Sequence, residues 1–153
     1  MDAYITALTL LGRRELSAKQ LRDRLTRRQF PAEETEAVID RLTRDRTLDD
    51  RRVAVAAARM AAAIKGRGRR RVLQHVEQLG VSSEVAAAAV AEVFDDVDEA
   101  ALLDRALDKR LRGSSLGSLD AKGKAKLVRQ LIAQGFEPAA IFARLRRKGG
   151  DLD

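Results

Sequence analysis

The chain has 153 residues, of which 45% are hydrophobic, 35% charged and 3% aromatic: one domain of ordinary size, or a few very small ones, with enough apolar content for a core. It has no Cys and one His, His75, which excludes disulfides, thiolate metal sites, cysteine nucleophiles and multi-histidine zinc sites. Thirty Lys and Arg against 23 Asp and Glu give a net charge of +7, which favours polyanions or acidic protein surfaces as partners.

The chain opens Met-Asp-Ala-Tyr, without a basic segment ahead of an apolar run, so no signal peptide is expected. The longest uncharged stretches, such as Val53–Ala58 and Val85–Ala91, fall far short of the roughly 20 apolar residues a membrane span needs. A soluble, cytoplasmic protein without membrane contact is the expectation. Apolar residues recur at spacings of 3 and 4, with no sustained alternation, and the Ala/Leu/Val composition suits close helix contacts. The predicted fold is all-α.

The first helix is predicted over Ala3–Arg14. The next carries Leu21 and Leu25 and stops at Gln29-Phe30, and a third opens at Pro31-Ala-Glu-Glu. The same order returns twice. A helix over Asp50–Lys65 precedes one with Val72 and Val76, extended to Leu79 as a buried stripe, that stops at Gly80-Val81; Ser82-Ser-Glu opens the next. A helix over Glu99–Arg112 and a loop, Gly113–Ser118, precede one with Leu127 and Leu131 that stops at Gly135-Phe136, and Glu137-Pro138 opens the last. The stop position suits a left-handed residue after a helix, which glycine adopts at little cost; Gln29 is the imperfect copy. Both Pro31 and Pro138 fall where a first helical turn tolerates them. Three tandem three-helix modules result, residues 1–48, 49–97 and 98–153, expected as an elongated, curved array. Modules this small bury little alone, so neighbours should pack together.

Candidate catalytic motifs fail one by one. Gly123-Lys124 lacks the glycine five residues earlier, where Ser118 stands, and the following Ser or Thr, where Ala125 stands, so it is no phosphate loop. Gly66-Arg-Gly68 follows no strand and is no dinucleotide fingerprint. The acidic pairs Asp49/Asp50, Asp95/Asp96 and Asp98/Glu99 stand at helix boundaries, where capping and the positive end of the helix dipole explain them. His75 lies at the edge of an apolar stripe and reads as structural. No enzyme activity and no cofactor or metal are expected.

The charge pattern is more informative. From Arg51 to Val76 there are eight basic residues and no acidic one, and five of them crowd into Lys65–Arg71. Such a cluster repels itself unless a partner is present, and it would neutralise phosphates without reading sequence. Helix-turn-helix reading is disfavoured, because the third helix of each of the first two modules opens with Ala32-Glu33-Glu34 or Ser82-Ser83-Glu84 rather than with base-reading side chains. Single-strand stacking has no aromatic platform: Phe30 and Phe136 read as core, and Tyr4, Phe94 and Phe142 stand apart.

Four blocks of residues resemble the RecX regulatory proteins of bacteria. The first is Ala7-Leu8-x2-Leu11-x2-Arg14-Glu15-x-Ser17-x2-Gln20-Leu21-x2-Arg24-Leu25-x4-Phe30, and the second Leu42-x5-Leu48-Asp49-Asp50-x-Arg52-Val53-Ala54. The third is Gly66-x5-Val72-x3-Val76-x3-Gly80-Val81, and the fourth Leu127-x3-Leu131-x2-Gln134-Gly135-Phe136. The chain departs from the family pattern at Gln29, where Gly is usual, at Arg46-Thr47, where Gly and an aromatic are common, and at Val53, in place of an aromatic. The resemblance implies tandem three-helix repeats and a protein that binds the RecA filament on DNA and lowers RecA's ATPase and strand-exchange activities. It carries over no catalytic residue. By charge, the candidate contacts with DNA or the filament are Lys65, Arg67, Arg69, Arg70 and Arg71, then Arg144, Arg146, Arg147 and Lys148. Single- or double-stranded DNA without sequence preference is the expected co-partner, and the protein is expected to be a monomer. The rival readings are a non-specific DNA-binding protein acting without RecA, and a helical adaptor for an acidic protein.

Overall fold

The computed structural model describes residues 2–150. Among them are nine α-helices and no strand: α1 (Ala3–Arg13), α2 (Ala18–Arg27), α3 (Ala32–Arg44), α4 (Asp50–Ala63), α5 (Arg69–Glu77), α6 (Ser83–Asp95), α7 (Glu99–Leu111), α8 (Ala121–Ala133) and α9 (Pro138–Gly150). A short 3-10 turn at Leu116–Ser118 sits in the loop before α8. The all-α expectation holds. The predicted ends of α1, α4 and α7 shift inward by one or two residues.

Local chemistry sets these boundaries. Asp2, Ser17, Asp49, Ser82, Asp98 and Asp120 each accept a hydrogen bond from a first-turn amide, and at Ser17 the side chain of Gln20 returns one to complete a capping box. The acidic pairs at 49/50 and 98/99 thus work at helix N-termini. Asp95 and Asp96 do not: they close α6 at its C-terminal end, the unfavourable side of the dipole. All three stop positions are left-handed, with φ of +68° at Gln29, +86° at Gly80 and +109° at Gly135.

Helices α1–α3 pack on one another, as do α4–α6, and α8 packs on both α7 and α9. The apolar pairs Leu21/Leu25, Val72/Val76 and Leu127/Leu131 are all buried, whereas Leu79 is only half-buried and falls off the stripe assigned to it. One cluster of buried side chains, from Ala3 to Leu48, serves the first three helices. A second is continuous from Ala54 to Ile141 and includes Phe94 and Phe136. The boundary near Leu48 therefore separates two cores, while the boundary near Val97 crosses one. Phe30 is half-buried against the first cluster, and Phe142 is exposed.

The contact between successive units repeats. At the first seam the N-cap of α2 meets the end of α5: Ser17 Oγ donates to the Leu79 carbonyl, and Lys19 lies where a side chain on Gly80 would go. At the second seam the N-cap of α5 meets the end of α8: the Gly68 amide donates to the Gln134 carbonyl at 3.0 Å, and the Arg70 amide to the Gly135 carbonyl at 3.2 Å. Helices α2, α5 and α8 thus engage head to tail, the N-terminal end of one facing the carbonyl end of the next.

Candidate nucleic-acid interface

The turn between α4 and α5 carries the basic cluster. The α4 helix ends at Ala63, Gly66 reverses the chain at φ +65°, and Gly68 starts α5 without a side-chain cap. Arg69, Arg70 and Arg71 therefore form the first turn of α5, where cations face the positive end of the dipole. The carbonyl end of α8 offsets this. Besides the two amide contacts, Arg71 Nη1 donates to the Ala133 carbonyl at 3.2 Å.

The same junction borders a cleft of about 930 Å³. One wall carries Lys65, Arg67 and Arg71 from the middle unit. The opposite wall carries Lys109, Arg110 and Arg112 from the end of α7, and Lys126 from α8. Apolar floor comes from Ala106, Leu111, Leu119, Leu127 and Ala133. No carboxylate lines the cleft, and none of the seven cations is ion-paired among the described residues. Cations gathered in a concave site focus their field outward and raise the local concentration of anions.

The cations named by charge alone do not stay together. Lys65, Arg67 and Arg71 reach the cleft, but Arg69 and Arg70 leave it. Arg69 lies 3.5 Å from Glu99 and 5.1 Å above the Phe94 ring, and Arg70 lies 3.8 Å from Glu137. Successive helical side chains diverge by about 100°, so adjacent arginines on α5 cannot share one direction. On α9, Arg144 makes a bidentate pair with half-buried Asp104, and Lys148 lies 3.4 Å from Asp108. These two tie α9 to α7. Arg146 and Arg147 are exposed on α9 and line no part of the cleft. Sequence reasoning missed Lys109, Arg110, Arg112 and Lys126. The signal available was the last module's excess of basic residues, 12 against 8 acidic ones.

Gln134 joins the two walls. Its Nε2 donates to the Gly66 carbonyl at 2.8 Å, and its Oε1 accepts from Arg110 Nη2 at 3.0 Å and Nε at 3.3 Å. A neutral amide can bridge cationic walls without neutralising either. One helical turn beyond Arg71, His75 is pushed below its ordinary pKa by burial first and then by Lys65, Arg67 and Arg71. Among the described residues, no helix is long and apolar enough to cross a membrane.

Comparison with known proteins adds a family context. A family model described as RecX, first three-helix domain, matches residues 3–42. The protein named regulatory protein RecX in Pelodictyon phaeoclathratiforme is 33% identical over 145 residues, which cover 94% of this chain and 87% of that one. That in Xanthomonas axonopodis pv. citri is 35% identical over 140 residues, covering 92% of this chain and 83% of the relative. The crystal structure of RecX from Lactobacillus salivarius superposes with a TM-score of 0.78 over 99% of this chain and 96% of that one, at 19% identity, and so shares the fold.

Proposed function

The chain belongs to the RecX family of regulatory proteins, and from that premise we propose that it binds RecA–DNA filaments and lowers RecA's ATPase, strand-exchange and related activities. The observation that carries this reading is the cleft of seven unpaired cations. A surface of that kind meets a phosphate backbone through counterion release and takes no account of base sequence. The protein acts in the cytoplasm by binding rather than by catalysis. Its lack of Cys, its single His and its failed phosphate-loop motif support that view. The division into modules 1–48, 49–97 and 98–153 belongs to the same proposal, supported by the packing of helices in threes and by the repeated seam.

The test is co-sedimentation with RecA–single-stranded DNA filaments, with naked DNA alongside, and RecA ATPase followed as the protein is added. The expected result is capture by the filament and a fall in ATPase at sub-stoichiometric or equal amounts. Capture by naked DNA with RecA ATPase unchanged would favour a DNA-binding protein that acts without RecA.

A further inference from the structure

We propose that the cleft between the middle and last units is a two-walled site for one phosphodiester strand, single-stranded rather than duplex nucleic acid, and that Gln134 is the positioning residue that sets the two walls against each other. The inference rests on the reading that the protein engages DNA.

The cations are divided between facing walls, Lys65, Arg67 and Arg71 on one and Lys109, Arg110, Arg112 and Lys126 on the other. A strand lying between them exposes phosphate oxygens to both sides at once. A duplex is a cylinder whose major groove alone is about 12 Å wide. It would rest on the rim of a gap that the single Gln134 amide bridges, with hydrogen bonds of 2.8 Å to Gly66 and 3.0 Å to Arg110, and reach one wall at a time. The floor of Leu111, Leu119 and Leu127 is apolar and non-aromatic. It can shelter sugar and base edges, yet offers no ring for stacking and no paired donor and acceptor for a given base. Without stacking, most of the affinity comes from cations meeting phosphates, which carry no sequence information.

Gln134 decides whether the walls act together. It holds the Gly66 carbonyl, one residue from both Lys65 and Arg67, and with the same side chain holds the Arg110 guanidinium of the opposite wall. A carboxylate at this place would pair with Arg110 and compete with the strand for the cations. A hydrocarbon would leave the Gly66 carbonyl and Arg110 without these bonds and let like charges part. The neutral, two-ended amide is the side chain that spans the walls and still leaves their charge available.

The experiment measures binding of the full chain to fluorescent oligothymidylate and to a hairpin duplex of equal length across a salt series, first without RecA and then with RecA–single-stranded DNA filaments, following capture and ATPase. The variants are Lys65→Ala/Arg67→Ala, Lys109→Ala/Lys126→Ala, Gln134→Leu and Gln134→Glu, each checked for helix content and melting temperature. The expected result is tighter binding of the single strand, with each wall variant flattening the log–log salt slope by about 1.4, ~0.7 for each phosphate left without its cation. Gln134→Leu is expected to weaken binding and flatten the slope, with removal of the second wall adding less than it does in the wild type. Gln134→Glu is expected to weaken binding while keeping the melting temperature. Equal or tighter duplex binding would overturn the strand assignment, as would wall variants with wild-type slopes. Gln134→Leu that melts earlier but keeps affinity and slope would return Gln134 to a purely structural role and overturn its positioning one. Wall variants that keep strand affinity but lose the RecA filament would assign the cleft to an acidic protein surface and overturn the proposal. Strand binding as expected, with RecA ATPase untouched by the wild type, would uphold the site and sink the regulatory function.

Discussion

Gly68 and Gly135 meet backbone to backbone, so closely that a Cβ on Gly68 would lie 2.5 Å from the Gly135 carbonyl and one on Gly135 would lie 2.7 Å from that of Gly68. The contact brings the amide end of α5 onto the carbonyl end of α8, and it leaves no room for any side chain at either position. Both residues are buried. Gly68→Ala is expected to destabilise the protein by about 1–3 kcal/mol through overpacking. Gly135→Ala should cost more, because its φ of +109° is also strained for a residue with a side chain. Urea unfolding checks both, and a wild-type midpoint for either would refute the close contact.

The left-handed positions without glycine give the opposite sign. Gln29 and Arg46 have φ of +68° and +64°. Replacing either with glycine relieves a left-handed penalty of about 1–2 kcal/mol and adds back part of it as unfolded-state entropy. Gln29→Gly and Arg46→Gly are each expected to raise stability by a few tenths to about 1 kcal/mol. Thermal melting of the two single variants and the pair measures this, with near-additivity expected for two separate turns that share no hydrogen bond.

Arg52 clamps the first seam. It makes a bidentate pair with Glu15 across the two units and also donates to the carbonyls of Arg46 and Thr47. The group is partly exposed, so solvent screening limits the effect. Arg52→Ala is expected to cost about 1 kcal/mol, and Arg52→Lys to recover little, since an ammonium cannot reproduce the forked geometry. Unfolding midpoints at low and high salt would show whether the ion pair or the neutral carbonyl contacts dominate.

The cations should divide by position, not by crowding in the sequence. Arg71→Ala is expected to flatten the salt slope of DNA binding, whereas Arg69→Ala/Arg70→Ala, which removes the pairs with Glu99 and Glu137, should leave it near wild type. Arg144→Ala is expected to cost about 1–3 kcal/mol of stability by stranding half-buried Asp104, with little change in slope. Equal slope changes in all three would mean that net charge alone governs binding.

His75 should give the protein a pH response whose sign is set by burial and the neighbouring cations. Its folded-state pKa lies below the ordinary 6.5, so the unfolded chain takes up this proton first as pH falls. The His75 contribution to stability is therefore intact above 6.5 and declines as pH drops through the folded-state value. Proton uptake also adds positive charge beside Lys65, Arg67 and Arg71, so DNA binding should tighten over the same window. His75→Gln is expected to flatten both trends, measured by urea unfolding and by titration between about pH 7.5 and about pH 5.5.

Much of the helical order could be read from the chain, because its cues are local. Leu21/Leu25, Val72/Val76 and Leu127/Leu131 sit one turn apart, and burial of such pairs follows from helical geometry alone. Even Gln29, the odd member of the stop positions, takes the left-handed conformation that its place in the repeat predicts. The site was legible only by half. Lys65, Arg67 and Arg71 announce themselves as a run, but the facing Lys109, Arg110, Arg112 and Lys126 are remote in sequence. The acids that pair with Arg70 and Arg144, Glu137 and Asp104, lie 67 and 40 residues away, and Gln134 reaches across 68 residues to Gly66. No local pattern encodes such pairings; the head-to-tail docking of α5 on α8 creates them.

That docking has a consequence for how the molecule could change in length. Both seams join the amide end of one unit's middle helix to the carbonyl end of the next, so every unit presents the two mating ends in the same orientation. The arrangement is directional and translational, like a stack of cups, rather than two-fold and self-closing. A duplicated copy of residues 49–97, inserted after residue 97, would offer its own Gly80 end to the Gly68 of the copy before it. Growth or loss by whole units would therefore keep the helix-end contacts in series, whereas inserting part of a unit would break that series at both ends.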